Sequence, residues 1–299
     1  MSEQDQTGTP RPGEDAGFPA QEQPPPGLTG RMEPRPDHGE ASYTGTGLLT
    51  GRKALVTGGD SGIGRAVAIA FAREGADVAI SYLPEEEPDA TDTCSWIEKA
   101  GRRAVRVPGD LVEAETCRQV VAGAVEALGG LDIVVNNAGI HFPRENDGTL
   151  EGLRPELVDR VLRTNIGATL WVSQAALPHL REGSTIINTS SIQAYEPSGP
   201  LLDYAATKAA INSITANLAE QLGPRGIRVN AVAPGPIWTP LQPATREAGT
   251  IEDFGRDTPL GRAGQPAELA PAYVFLASER TAGYVSGTIL GVTGGRATF

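Results

Sequence analysis

A tyrosine and a lysine four residues apart form a pair that could exchange a proton. Tyr204 and Lys208 lie near the start of the helical stretch Asp203 to Leu222, and their spacing puts both on one helical face. Lys208 is the only lysine after Lys99 in a chain whose basic residues are mostly arginine. A phenol has a pKa of about 10, and an adjacent cation lowers it by favouring the phenolate. Tyr204 is therefore predicted to act as a general acid or base.

Two further polar residues could complete this chemistry. Ser191 follows the predicted strand Thr185 to Thr189, where its hydroxyl could hold a substrate carbonyl oxygen, although a plain strand-end turn would look the same. Asn165 precedes Ile166 and Gly167 in a stretch that otherwise resembles a long apolar helix. Because that position is unfavourable for asparagine, it predicts a kink that holds a polar group or water. A partly exposed helical asparagine is the alternative.

A glycine-rich turn joins a Val-rich strand to a predicted helix, Arg65 to Glu74. Gly58, Gly62 and Gly64 would allow a tight turn, close approach to a pyrophosphate and close packing of helix on strand. Neither a GxxxxGK[ST] phosphate loop nor a GxSxG nucleophile elbow is present. The turn predicts a dinucleotide site, with an ordinary turn as the alternative; its other candidate residues are Asp60, Ser61 and Ile63.

The end of the second predicted strand bears on the choice of dinucleotide. An acidic side chain there binds the ribose 2′-hydroxyl and repels a 2′-phosphate. Tyr82 occupies this place, and Glu85, Glu86 and Glu87 follow it. These carboxylates favour NAD over NADP, although a solvated acidic loop would have the same composition.

The third and fourth strands also end in candidate binding residues. Asp110, followed by Leu111, could accept a hydrogen bond from the adenine amino group, or could cap the helix that starts near Glu113. After the fourth strand, small residues would let the backbone approach a cofactor, while asparagine amides tie neighbouring strands together. These residues are Asn136, Asn137, Ala138 and Gly139.

From Gly51 onward, short Val- and Ile-rich runs alternate with amphipathic stretches of helical length. This alternation is typical of an α/β fold with a parallel sheet, and near-continuous apolar strands need helices on both faces. Residues 51–299 are therefore predicted to form a single Rossmann-like, doubly wound domain with a seven-stranded parallel sheet. The predicted strands are Lys53 to Thr57, Asp77 to Tyr82, Ala104 to Val107, Asp132 to Asn136, Thr185 to Thr189, Arg228 to Val232 and Thr288 to Val292.

Residues 1–50 have a different composition. They hold 8 of the 24 prolines and carry 8 acidic against 3 basic side chains, with few aliphatic residues. This favours a proline-rich acidic arm that does not nucleate a core. The arm is either flexible or extended, or it lies across a neighbouring subunit and orders on assembly.

Composition excludes several classes of function. The net charge of −12 argues against nucleic acid and anionic membrane surfaces as partners. No apolar run could span a bilayer and no export signal is evident, so we expect a cytoplasmic protein. Cys94 and Cys117 are expected to be reduced thiols. The scattered His38, His141 and His179 predict no metal site.

Together, the glycine-rich turn, the Asn-Asn-Ala-Gly segment, the serine and the Tyr-Lys pair resemble the short-chain dehydrogenase/reductase family over about residues 51–299. A bacterial subgroup of this family carries a similar proline-rich extension. The resemblance implies that Tyr204 is the general acid/base and that Lys208 lowers its pKa and binds the nicotinamide ribose. It also implies that Ser191 orients the substrate oxygen and that Asn165 supports a proton relay through water.

The resemblance extends to the segment after the sixth strand. It implies that Pro234, Gly235, Ile237 and Thr239 meet the nicotinamide amide, and that residues 238–262 form a mobile lid over the substrate. An ordinary surface loop is the alternative. His141 and Trp238 could shape the pocket, although packing or surface roles are more usual. A homotetramer is expected from the resemblance alone.

These observations predict an NAD(P)-dependent oxidoreductase that interconverts an alcohol and a carbonyl, in an aldehyde, ketone or sugar, with Tyr204 as general acid/base. A cofactor-binding sensor or scaffold without turnover is a second hypothesis, against which the intact four-residue set argues. A sugar-nucleotide epimerase or dehydratase would share the Tyr-Lys chemistry, but such enzymes usually need a larger C-terminal substrate domain.

Overall fold

The computed structural model describes residues 17–145 and 149–298. Within them, seven parallel strands form one sheet in the order β3-β2-β1-β4-β5-β6-β7. The strands are β1 (Lys53–Thr57), β2 (Asp77–Tyr82), β3 (Ala104–Pro108), β4 (Ile133–Asn136), β5 (Thr185–Thr189), β6 (Arg228–Pro234) and β7 (Ile289–Val292).

Helices cover both faces of the sheet. Successive side chains of a strand point to opposite faces, so Val56 of β1 packs in one apolar cluster with Phe71 and Leu269, while Leu55 packs in another with Val172. The helices are α1 (Gly62–Arg73), α2 (Glu87–Lys99), α3 (Ala114–Leu128), α4 (Pro155–Leu162), α5 (Ala168–Ala176), α6 (Leu202–Leu222), α7 (Leu241–Thr245), α8 (Pro266–Ala277) and α9 (Glu279–Ala282).

This architecture confirms the predicted doubly wound α/β fold. The observed strands differ from the predicted ones by at most two residues at an end; the largest extension carries β6 to Pro234. Helix α1 begins at Gly62 rather than Arg65, because the glycine-rich turn itself enters the first helical turn.

The described part of the arm, residues 17–50, lies on its own chain. Phe18 and Met32 are buried in an apolar cluster with Trp238 and Phe254. The Glu74 carboxylate accepts hydrogen bonds from three groups of the arm, at 2.7–2.9 Å for the Tyr43 hydroxyl and the amides of residues 46 and 48. Residues 1–16, also predicted to belong to the arm, lie outside the described residues.

The cysteines are not thiolates. Cys94 and Cys117 are unpaired and buried, and burial raises the pKa of each thiol to about 12.

Within the described residues, no group of three or more His, Cys, Asp or Glu side chains is arranged to hold a metal ion. No helix in that part of the chain has the length and hydropathy needed to cross a bilayer.

Candidate functional site

A cavity of about 510 Å³ opens at the carboxyl edge of the sheet. The strand order changes direction beside β1, which lies between β2 and β4, and open α/β sheets bind ligands at such a switch point. Most residues predicted to bind a cofactor or substrate line this cavity: Gly58, Asp60, Ser61, Gly62, Ile63, Tyr82, Asp110, Leu111, Asn137, Ala138, Gly139, Ser191, Tyr204, Lys208, Pro234, Gly235, Ile237 and Thr239.

Gly64 is a predicted binding residue that does not line the cavity. A Cβ added to it would lie 1.9 Å from the Gly58 carbonyl oxygen and 2.7 Å from Asn137 Nδ2. Gly58 itself has a φ of 59°, in the left-handed region that favours glycine. Because Gly64 has no Cβ, α1 can begin in direct contact with the glycine-rich turn.

Side-chain hydrogen bonds fasten the glycine-rich turn to the end of β4. Thr57 Oγ1 accepts hydrogen bonds from the amides of Asn137, at 2.9 Å, and Ala138, at 3.0 Å. Asn137 Nδ2 donates to the carbonyl oxygens of Thr57 and Gly58, both at 3.1 Å. Farther along the sheet, Asn136 Nδ2 donates to Asn188 Oδ1 at 2.9 Å. The predicted ties between neighbouring strands are therefore present.

Tyr204 lies in the first turn of α6 and faces the cavity. Its hydroxyl lies close to the Ser191 side chain, and its ring packs edge-on against His141 with centroids 5.1 Å apart. Burial raises the pKa of Tyr204 to about 12, although the nearby Ser191 hydroxyl and the charge of Arg246 oppose this. The lowered pKa expected from the sequence is wrong for this structure, because loss of hydration disfavours the phenolate more than these partners favour it.

Lys208 lies one turn farther along α6. Its Nζ donates to the Thr189 carbonyl oxygen at 2.7 Å and lies 5.3 Å from the centroid of the Tyr204 ring. Burial lowers the pKa of Lys208 to about 7. The backbone at Gly139 passes close by, since a Cβ there would lie 3.5 Å from Nζ. The amino group is thus fixed at the end of β5, beside the phenol.

Ser191 is positioned by the end of β5. Its Oγ accepts a hydrogen bond from the Gln193 amide at 3.1 Å and so caps a short helical turn, Ile192–Ala194. The strand-end turn weighed from the sequence is therefore present, and the same side chain lies close to the Tyr204 hydroxyl at the cavity wall.

Asn165 lies beneath the cavity wall, fully buried, in a π-helical turn that spans Arg163–Gly167. Its side chain binds the backbone of Ile140 twice, accepting from the amide at 2.9 Å and donating to the carbonyl at 3.0 Å, and it donates to Thr207 Oγ1 at 3.0 Å. The helix is therefore irregular at the position where a kink was predicted, and the alternative of a partly exposed asparagine is wrong. Asn165 joins the segment after β4 to α6, which carries Tyr204.

The structure contradicts one of the two interpretations of Asp110, the helix cap. It lines the cavity, and its Oδ1 accepts a local hydrogen bond from the Val112 amide at 3.1 Å. Its Oδ2 forms an ion pair with Arg160 at 2.8 Å. α3 has Glu113 as its N-cap residue, so Asp110 shapes the approach to the helix rather than capping it.

Acidic side chains gather where the adenosine ribose of a dinucleotide would lie. Asp60 and Glu86 line the cavity, and both interact electrostatically with Asp89. Burial raises the pKa of Asp60 to about 7 and that of Glu86 to about 8, and the negative charge of Asp89 adds to the rise at both carboxyls. Glu87 instead binds the Tyr82 hydroxyl and Arg106. Glu86 therefore faces the cavity, whereas Glu87 faces away from it.

Several cavity residues were not identified from the sequence. Thr164, Gln242 and Thr245 line the cavity with polar side chains. Gln242 and Thr245 belong to α7, inside the segment predicted as a lid, but were not predicted individually. Thr245 Oγ1 lies 3.2 Å from His141 Nδ1. Pro25 and Pro26 of the arm also line the cavity, and no sequence signal pointed to them. Trp238, considered a pocket residue, is instead buried in packing.

The geometry agrees with the comparisons to known proteins. The chain matches the family described as enoyl-(acyl carrier protein) reductase over residues 58–297. NADPH-dependent aldehyde reductase 1, chloroplastic, of Arabidopsis thaliana is 44% identical over 90% of this chain and 94% of the relative. Glucose and ribitol dehydrogenase of Daucus carota is 45% identical over 93% and 96%, respectively. A short chain dehydrogenase from Burkholderia cenocepacia J2315, solved in complex with NADP, has a TM-score of 0.75 and 38% identity, covering 83% of this chain and 98% of that one.

The chain belongs to the short-chain dehydrogenase/reductase family. It is an oxidoreductase that uses NAD(P). The preference for NAD that the sequence suggested gains no support, since the aldehyde reductase is named for NADPH and the Burkholderia enzyme was solved with NADP.

Proposed function

We propose that the protein reduces an aldehyde, a ketone or the open-chain form of a sugar to the alcohol, and catalyses the reverse reaction, with Tyr204 as general acid/base. The observation that carries this proposal is the meeting of three groups at one end of the cavity. The Tyr204 hydroxyl lies close to the Ser191 side chain, and Lys208 Nζ lies 5.3 Å from the centroid of the phenol ring.

The cavity residues fit a nicotinamide dinucleotide. Ser61, the residue before α1, makes no side-chain capping hydrogen bond, so the backbone amides of the first turn of α1 can receive a pyrophosphate. The cavity extends from there to Asp110 at one end and to Tyr204 at the other. When bound, the nicotinamide supplies or accepts the hydride.

The chain's own residues perform the proton transfer. In the reducing direction, the neutral Tyr204 phenol donates its proton to the carbonyl oxygen as negative charge develops there. Ser191 Oγ is close enough to Tyr204 to bind the same oxygen. Asn165 binds the Ile140 backbone, and Lys208 binds the Thr189 carbonyl oxygen. These hydrogen bonds fix the reacting groups before substrate binds.

The substrate end of the cavity favours a polar carbonyl compound. Gln242, Thr245 and His141 line it, and burial lowers the pKa of His141 to about 3, so its ring is a neutral hydrogen-bonding group. A polyhydroxylated aldehyde could bond to these groups. Relatives named for aldehydes and for glucose and ribitol support the same class of substrate. Turnover by a panel of aldoses and aldehydes, followed by nicotinamide absorbance, tests the proposal.

The raised pKa of Tyr204 predicts opposite pH behaviour in the two directions. Because its pKa is about 12, the phenol is protonated at neutral pH, which suits reduction. Alcohol oxidation needs the phenolate, so kcat/KM for oxidation should rise about tenfold per pH unit between about pH 8 and pH 10, while reduction by the protonated phenol stays nearly constant. Initial rates in both directions would show this; a reduction rate that falls steeply over the same range would contradict it.

A second prediction concerns the choice of cofactor. Glu86 is buried at the cavity wall and its pKa is raised to about 8. Its charge therefore appears as pH rises past this value and then opposes a ribose 2′-phosphate. Glu86→Gln should lower the Kd for NADPH about tenfold above about pH 8 and change the Kd for NADH much less. Fluorescence titration of both nucleotides measures this, with Glu98→Gln as control, because Glu98 is an exposed residue of α2 that does not line the cavity.

If Glu86→Gln alters both affinities equally, Glu86 does not discriminate between the cofactors. The homotetramer and the cytoplasmic location, expected from the sequence, stay predictions.

A further inference from the structure

A short segment of the arm, residues 23–29, crosses the mouth of the cavity and is called the strap below. At one end the Gln23 amide donates to the Pro243 carbonyl oxygen of α7 at 2.9 Å. At the other end the Thr29 amide donates to Asp89 Oδ2 of α2 at 2.7 Å. α7 follows β6 and α2 follows β2. The strap therefore joins the two sides of the cleft that the glycine-rich turn separates.

The middle of the strap forms part of the cavity wall. Pro25 and Pro26 line the cavity together with Gly62 of the glycine-rich turn. Gly27 packs so closely on α7 that an added Cβ would lie 2.8 Å from the Pro240 carbonyl oxygen. Pro24, in contrast, does not line the cavity.

The rest of the arm anchors the strap on both sides. Before it, Phe18 stacks on Trp238 with ring centroids 3.8 Å apart and an interplanar angle of 11°. After it, the Pro34 carbonyl oxygen accepts a hydrogen bond from Trp238 Nε1 at 2.8 Å. Trp238 is fully buried and begins the segment that carries α7. One side chain thus fixes the arm to the substrate side of the cleft.

We propose that the strap is part of the dinucleotide site, with Pro25 and Pro26 closing over the dinucleotide between the glycine-rich turn and α7. This rests on the proposed function, because it requires a dinucleotide in the cavity. Exchange of the dinucleotide then requires the strap to leave Pro243 or Asp89. Proline suits this position, because it presents an apolar surface without an N–H group and loses little entropy when the strap closes.

The test compares proline substitutions in the full-length protein. The double variant Pro25→Gly/Pro26→Gly should release NADPH about tenfold faster than wild type, because a flexible strap closes less often. Pro24→Gly is the matched control and should release it at the wild-type rate. Stopped-flow nicotinamide fluorescence, with an excess of NADP⁺ to displace the reduced form, gives the rate without any turnover.

A second measurement uses the wild type and is independent of how the variants fold. NADPH should slow hydrogen–deuterium exchange at the amides of Gln23 and Thr29, since each amide is released only when its own end of the strap opens. If wild-type protein binds NADPH but the release rates are equal and exchange at these amides is unchanged, the strap proposal is overturned alone. If wild type binds neither NADPH nor NADH, the proposed function is overturned and the strap with it.

Discussion

Tyr204→Phe is expected to lower kcat/KM for carbonyl reduction by about 10²–10⁴-fold, the usual contribution of a positioned general acid. The substitution removes one hydroxyl and keeps the ring that packs on His141 at 5.1 Å. Packing in the first turn of α6 should therefore survive, and the loss should fall on proton transfer. Steady-state rates from nicotinamide absorbance, together with the Kd of the reduced dinucleotide, measure the two effects separately.

Tyr284→Phe is the matched control, since the same hydroxyl is removed from a fully exposed tyrosine. It should leave both the rate and the nucleotide affinity unchanged. A Tyr204→Phe variant that keeps more than about a tenth of wild-type kcat/KM would contradict the assigned role, because such a loss is below the range of general acid catalysis.

Gly64→Ala is expected to have the second large effect, on nucleotide binding. The added methyl group would lie 1.9 Å from the Gly58 carbonyl oxygen. That atom is backbone, so it cannot move aside as a flexible side chain would. The turn must open, which breaks its bonds to Asn137 and moves the amides at the start of α1. We expect the Kd for NADPH to rise at least about 100-fold, the loss expected when several backbone contacts to a pyrophosphate are displaced.

Gly223→Ala is the control for this substitution, because a Cβ there has nothing within 4 Å and its φ is not positive. Circular dichroism and thermal unfolding would show whether Gly64→Ala retains the fold. A folded Gly64→Ala protein with wild-type affinity for NADPH and NADH would show that the dinucleotide does not use this turn.

The sheet could be predicted from the sequence because its strands are buried on both faces. Runs such as Ile133-Val134-Val135 differ clearly from the amphipathic stretches between them, so the pattern locates both elements. The ends were less certain, and β6 continues through Ala233 to Pro234. The end of β6 depends on the tertiary contacts that direct the following residues toward α7.

Site residues that break a local rule were also identifiable. Asparagine is unfavourable in a helix interior, and Asn165 lies instead in a π-helical turn. There its side-chain amide forms hydrogen bonds with the Ile140 backbone and with Thr207 Oγ1. The pKa of Tyr204 could not be inferred in the same way. Its direction depends on how completely neighbouring elements exclude water from the phenol, and spacing along α6 does not contain that information.

The arm shows why composition can mislead. Few apolar residues precede Leu48, so the segment is unable to form a core of its own. Phe18 and Met32 nevertheless complete an apolar cluster supplied mostly by residues 238–263. Contacts between residues more than 200 positions apart leave no periodic signal in the sequence. Pro25 and Pro26 were missed as cavity residues for this reason.

The most direct test of the central claim is to mix the purified wild-type protein with NADPH or NADH and a panel of aldehydes, ketones and aldoses. Absorbance reports consumption of the reduced dinucleotide, and product analysis reports the alcohol. The proposed function predicts that at least one carbonyl compound is reduced, with one alcohol formed per dinucleotide oxidised. Tight binding of the dinucleotide with no alcohol formed from any member of the panel would contradict it and would favour a cofactor-binding sensor.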